Sequence, residues 1–296
     1  MAVATERLQR QAASADTGRR ADRLDLALQV VAYVVLVFVA ILMFVPFAFS
    51  VATSFKTNPE TLRLTLGNMF WPETWTTAAY TVVREANIDR WFLNSVIVAA
   101  IWVAARCAFG ALAGYAFARM RFPGRDIVFL VFLSTMMVPG IVTIVPKFII
   151  LKELKLLDTY GALTIPFLTD AFGIFLMKQF FESIPNELEE AARIDGASRF
   201  RMFFQIVLPN AMPALSALAI FSFQGSWNAF MEPLFYISSE DYFTLPLGLA
   251  MFRQANYTEW PAVMAAAVIT TVPIAIFYII FQRRFVASQT SAGIKG

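Results

Sequence analysis

Glu190-Ala191-Ala192-Arg193-Ile194-Asp195-Gly196, continued by Ile206 and by Leu208-Pro209, forms a polar connector between two largely uncharged runs, 161–181 and 210–235. Its residue order predicts two short helices and a bend. Pro185 suits a first helical turn, where its missing N–H has no intrahelical partner to lose, and Glu187, Glu189 and Glu190 place negative charge at the positive end of the helix dipole. Gly196 is the stop, because glycine enters the left-handed conformation that ends many helices without a Cβ penalty. Ser198 is the N-cap of a second helix over 199–208, which Pro209 opposes continuing. The small side chains of Ala191 and Ala192 keep the elbow low, so that another protein can approach its backbone closely.

Outward from this elbow, the runs 26–53, 92–118, 127–150, 161–181, 210–235 and 260–282 carry little or no charge. Each meets or exceeds the about 20 residues a helix needs to cross the hydrocarbon core. Only helices and closed barrels satisfy every backbone polar group in lipid, and runs this continuous predict helices. The expected fold is an all-α integral membrane protein with six transmembrane helices over 26–284. It has a cytoplasmic tail at 1–25, the elbow at about 182–209 and a C-terminal tail at 285–296. Composition agrees: 58% of residues are hydrophobic, 15% are charged and 30 are Phe, against roughly 45–50% apolar and 25% charged in soluble domains. The tail 1–25 is polar with little hydrophobic periodicity and is expected to be mostly disordered. The apolar run after it exceeds the about 7–15 residues of a cleaved signal core, so it is expected to remain in the membrane.

The Lys and Arg residues give orientation. Arg7, Arg10, Arg19, Arg20, Arg23, Arg119, Arg121, Arg125, Arg199, Arg201, Arg283 and Arg284 flank the spans on the elbow side, and fewer basic residues lie opposite. Both termini and the elbow are therefore expected in the cytoplasm. The net charge of +3 reports membrane orientation, with no nucleic-acid partner implied. His is absent and Cys107 is alone, which excludes an internal disulfide, the usual zinc and thiolate clusters and a Ser-His-Asp site. No G-x-x-x-x-G-K-[ST] stretch occurs, so the chain has no visible phosphate loop with which to grip ATP. Energy for any work must come from a partner or an ion gradient.

Charged side chains at membrane depth are expensive and take partners. Arg106 and Asp170 lie about 20 Å and about 16 Å along their helices from the elbow-side ends, which predicts an ion pair between the second and fourth spans. Such a pair holds the bundle together, or serves as the coupling site of an ion-driven carrier. The fifth run concentrates Gln224, Ser226, Trp227 and Asn228 around Gly225. Amides bond sugar hydroxyls and an indole packs on a sugar C–H face, so these four are candidates for a substrate path; the competing reading is helix packing, with Trp227 in the core. Asn94, Ser134 and Thr135 are weaker candidates of the same kind. In the opposite connector, 56–91, Trp71, Trp75, Tyr80 and Trp91 suit an interfacial belt or a lip for an external partner.

The spacing Glu190-Ala191-Ala192, three residues, Gly196, nine residues, Ile206, one residue, Leu208-Pro209 resembles the EAA loop of the membrane subunits of bacterial ABC importers. Asn94-Ser95, Trp227-Asn228 with Pro233-Leu234, and the ending Gly293-Ile294-Lys295-Gly296 resemble carbohydrate-importer permeases of the maltose MalG type, across 47–296. The resemblance implies a type I ABC importer permease-like bundle in the bacterial cytoplasmic (inner) membrane. It implies a second homologous permease subunit, two ABC ATPase subunits and an extracytoplasmic sugar-binding protein as partners. By the same resemblance, Glu190, Ala191, Ala192, Asp195, Gly196, Leu208 and Pro209 form the coupling surface, and the ATPases use ATP and Mg while this chain binds no cofactor and is not an enzyme. Asp170 matches no pattern of that family. The alternatives are an ion-coupled secondary transporter using Asp170 and Arg106, or a membrane anchor with no transport path.

Overall fold

The computed structural model describes the backbone of residues 2–63, 65, 67–252 and 258–293, and side chains for 26, 28–63, 65, 67–252 and 258–280. Helix dominates throughout, as lipid requires of a backbone that water cannot reach. In chain order the α-helices are α1 (Ala2–Ser54), α2 (Asn58–Thr61), α3 (Ala78–Glu85), α4 (Ile88–Arg119), α5 (Arg125–Thr135), α6 (Ile144–Glu153), α7 (Tyr160–Thr164) and α8 (Ala171–Ser183). They continue as α9 (Glu187–Ile194), α10 (Arg199–Met202), α11 (Leu208–Asn210), α12 (Met212–Trp227), α13 (Met231–Tyr236), α14 (Leu245–Met251) and α15 (Trp260–Gly293).

Among the described residues, four stretches are long and apolar enough to cross a bilayer, Leu28–Ser54, Ile88–Arg119, Tyr160–Ser183 and Trp260–Ile280, the third of them interrupted at Leu168 to Asp170. The other two expected spans are bent pairs, Arg125–Thr135 with Gly140–Glu153 at 95° and Arg199–Asn210 with Met212–Trp227 at 75°. The first bend falls at Pro139, which has no N–H to donate and drives Val138 out of the helical region. The second falls at Ala211, between the second elbow helix and α12, and the run expected as one helix over 210–235 is broken again at Asn228 to Phe230 into α12 and a separate α13. Two other expectations also change. The segment from Ala2 to Asp25 continues α1 as helix instead of lacking structure, in keeping with the helix propensity of its Ala, Leu, Arg, Gln and Glu residues. Pro209 does not stop the second elbow helix. The π-turn Phe203–Val207, closed by Leu208 N–H on Phe203 O, widens the turn in which its ring would meet the Gln205 carbonyl, and the helix runs on to Asn210.

α4 is the central post and packs against both α8 and α12, which also touch each other. Gly114 makes the α8 contact possible: a Cβ there would stand 2.7 Å from Met177 Cβ and 2.9 Å from Lys178 N. Small residues four apart, here Gly110 and Gly114, are how helices approach closely in lipid, where burial against another helix gains nothing over burial in tails. One core lies toward the elbow, where Ala111, Met177, Phe181, Phe203, Val207 and Leu218 meet. The larger one lies toward the far end, around Trp91, Trp102, Phe167, Trp227, Tyr236 and Leu245. Residues 28–46 of α1 are exposed throughout. Among its described residues, burial begins at Phe47, and α1 packs against α15.

The far-end connectors are tied down by buried polar side chains. Asn94, fully buried, donates through Nδ2 to Asp241 O and Phe243 O, each at 2.8 Å, and accepts from Tyr160 Oη at 2.6 Å. Ser95 Oγ accepts from Leu245 N at 2.8 Å. Lys56, also buried, donates to Met69 O at 3.1 Å, and Glu60 Oε1 accepts from Glu73 N at 2.9 Å, which folds 56–77 back on itself. The four aromatics of this region divide. Trp71 and Trp75 are exposed, Tyr80 bonds Ser54 Oγ at 2.9 Å, and Trp91 is buried against Phe243 and Phe252.

Candidate functional site

The elbow is built as its sequence dictates at the end of α9 and the start of α10, whereas Pro185, expected in the first turn, lies before the Asn186 cap and outside the helix. Ala197 N–H bonds Ala192 O at 2.9 Å and Gly196 N–H bonds Arg193 O at 3.1 Å, with Gly196 at φ +76°, the pair of reversed hydrogen bonds that closes a helix through a left-handed glycine. Asp195 caps the last turn through its N–H on Ala191 O. Ser198 Oγ then accepts from Arg201 N at 3.3 Å and starts α10. The faces of α9 differ. Glu189 and Ala192 are buried, whereas Glu190, Ala191, Asp195 and Gly196 are exposed. Beside them Ile194 is 87% and Phe200 76% exposed, so the outward face is apolar at its centre and charged at its edge. Leu208 is half-buried and Pro209 exposed at the base of the elbow.

The inward face is held by a guanidinium. Arg119, the last residue of α4, places Nε 3.0 Å from Glu189 Oε1, donates to Phe181 O at 2.7 Å, and reaches Ile184 O and Asn186 Oδ1. Tyr115 Oη donates to Glu189 Oε2 at 3.1 Å. The sequence assigns Glu190 to the coupling surface and Glu189 only to the helix dipole, beside Glu187. The signal for its inward role was Tyr115 and Arg119, four residues apart and hence on one face of α4, opposite an elbow rich in carboxylates.

Within the spans, Arg106 Nη1 lies 2.9 Å from Asp170 Oδ2, with 13% and 30% of the side chains exposed. Asp170 also caps α8, its Oδ1 accepting from Gly173 N at 2.8 Å, because the fourth span breaks at Leu168 to Asp170. Arg106 Nε donates to Phe167 O at 2.9 Å, a carbonyl which that break frees. The guanidinium also lies 4.3 Å over Trp102, Trp102 stacks on Phe167 at 4.5 Å, and Lys147 Nζ lies 4.7 Å over the far face of Phe167. Two cations thus bracket one aromatic stack joining spans two, three and four.

The substrate-path candidates are not one group. Trp227 is buried, bonds Thr270 O through Nε1 at 3.0 Å and stacks on Phe223 at 5.1 Å, and Ser226 is buried as well. Gln224 and Asn228 are exposed on one face of α12, with Gly225 between them. Asn94 belongs to the connector knot. Ser134 and Thr135 return their hydroxyls to Val131 O and Phe132 O, within their own helix.

Apolar helices of spanning length, bent or straight, joined through an exposed polar elbow define a multi-pass membrane protein. The chain belongs to the family of binding-protein-dependent transport system inner membrane components, whose model matches residues 107–290. It is 36% identical over 261 residues to the arabinooligosaccharides transport system permease protein AraQ of Halalkalibacterium halodurans, covering 88% of this chain and 94% of that one. With the diacetylchitobiose uptake system permease protein NgcG of Streptomyces coelicolor it shares 34% identity over 280 residues, covering 93% and 91%. Among solved structures, a bacterial ABC transporter involved in import of the acidic polysaccharide alginate superposes with a TM-score of 0.78 at 24% identity, over 89% of this chain and 98% of that chain. The elbow, Asp170 and the α12 candidates all fall inside the family match. Membership replaces the ion-coupled carrier as an account of the chain, leaving Arg106 and Asp170 with the cap and ion pair described above.

Proposed function

We propose that this chain is the translocating subunit of an ATP-binding-cassette importer that carries a sugar delivered by an extracytoplasmic binding protein. The observation that carries the reading is the outward face of the elbow, where Ala191, Ile194 and Gly196 stand exposed on a helix whose opposite face is clamped to the spans. Such a low apolar patch rimmed by Glu190 and Asp195 suits a cleft on a partner ATPase, and Leu208 and Pro209 set the angle at its base. ATP and Mg act in that partner. The chain itself binds no cofactor and catalyses no reaction. Gln224 and Asn228 face the path, which this subunit encloses together with a second, homologous permease. The elbow and both tails, 1–25 and 285–296, lie in the cytoplasm on either side of a transmembrane domain at 26–284, in the bacterial inner membrane. Arabinooligosaccharide and diacetylchitobiose permeases among the relatives support a carbohydrate as the cargo.

The test is to purify the tagged chain gently from its host and identify what accompanies it, with and without Gly196→Asp. Recovery of a phosphate-loop ATPase and a second multispanning protein, weakened by the substitution, is the expected result. A folded chain that repeatedly emerges alone rejects the importer reading.

A further inference from the structure

We propose that Glu189 and Arg119 are the positioning pair through which the elbow moves the second span, a role that rests on the coupling function proposed above. Both side chains are about nine-tenths buried, at 9% and 11% exposed, and meet at 3.0 Å. The same guanidinium bonds Phe181 O and Ile184 O, carbonyls at the end of α8. The last turn of a helix leaves such carbonyls without intrahelical partners. It also bonds Asn186 Oδ1 at the start of α9. Tyr115, one turn back on α4, holds the second carboxylate oxygen of Glu189. The Arg119 guanidinium therefore bonds the end of α8 and the cap residue of α9 and pairs by charge with Glu189, whose other oxygen Tyr115 holds.

Direction follows from the two faces of α9. A push on exposed Ala191 and Ile194 arrives at Glu189 on the opposite face and passes to Arg119. From there it enters α4, an unbroken helix of 32 residues that carries Arg106, Trp102 and Asn94 to the far end. A buried charge pair transmits such a displacement well, because parting it strands an uncompensated charge in each half. Glu190 faces the partner and Glu189 faces the spans: adjacent carboxylates act on opposite sides of the same joint.

The test uses the whole complex in lipid nanodiscs, with Cys107→Ser and Gln224→Cys as the background and a maleimide as reporter of the α12 face. The probe is ATP with Mg and vanadate. In the background complex, trapping should change the labelling rate at position 224 by about fivefold or more, the lower end of ordinary allosteric coupling. With Glu189→Gln, which keeps the shape and removes the charge, the ATPases should still co-purify and hydrolyse ATP, but the labelling change should vanish. Glu189→Asp should restore part of it, and Tyr115→Phe, which removes one bond and no charge, should give an intermediate response. A full labelling change in Glu189→Gln overturns the proposal. So does loss of assembly and hydrolysis in step with labelling, since that is the mark of a brace. A background complex that retains no ATPase, or whose labelling ignores nucleotide, rejects the coupling reading itself and the pair with it.

Discussion

Asn94 shows how one buried side chain is read differently with and without its neighbours. In the sequence it is an amide at the start of an apolar run, a fair candidate for sugar contact. In the fold it is fully buried and makes three hydrogen bonds to two far-end connectors. Asn94→Leu should therefore cost about 3 kcal/mol by stranding two carbonyls and a hydroxyl, seen as a lower midpoint in detergent-monitored thermal unfolding. A variant as stable as the parent would contradict the knot. Asp170 separates two roles in the same way. Asp170→Asn keeps a good N-cap and loses the charge beside Arg106, while Asp170→Ala loses both, so the alanine should be the weaker protein by about 1 kcal/mol, the worth of a cap. Equal stability of the two variants would show that the cap contributes nothing. The charges and their depth were legible from residue order. The cap was not, because the break at Leu168 to Asp170 has no strong local signal beyond Pro166 and is completed by Arg106 from another helix.

The end of α9 and the start of α10 fall where local chemistry puts them, whereas the run after α10 continues through Pro209. Gly196 and Ser198 were readable because a left-handed stop and a hydroxyl cap act over three or four residues. Gly196→Ala should retain the elbow at a cost of about 1–2 kcal/mol for a Cβ in the left-handed region, whereas Gly196→Asp should also block docking. Co-purification of the ATPase with each variant separates the two effects. The runs 127–150 and 210–235 were expected to be continuous helix and break at Pro139 and at Asn228 to Phe230, since apolar length alone does not report a kink. The contact of α4 with α8 is decided by Gly114, and Gly114→Leu should force the helices apart and lose about 3 kcal/mol or more through overpacking. Recovery of a folded, monodisperse Gly114→Leu chain at parental yield would contradict that contact.

Across the bundle, the substrate-path candidates sort by which side of α12 they occupy. Gln224→Ala and Asn228→Ala should each lower uptake of labelled oligosaccharides into proteoliposomes about tenfold or more, with assembly unchanged, because a site left with unpaired polar groups discriminates strongly. Trp227→Ala should instead reduce the amount of folded complex by emptying the packing against Phe223 and Phe92. Uptake lost in all three with assembly intact would return Trp227 to the path. The apolar runs settled on their own that the chain is helical and membrane-bound, because hydrocarbon admits no other backbone solution for segments of that length. The elbow was equally legible, its caps and charges acting within a turn or two. Which carboxylate faces inward, which amide is buried, how closely two helices approach and where a span breaks all depended on side chains brought together from distant positions. Those contacts, such as Arg119 with Glu189 and Gly114 with Met177, exist only once α4 has α8 and the elbow packed against it.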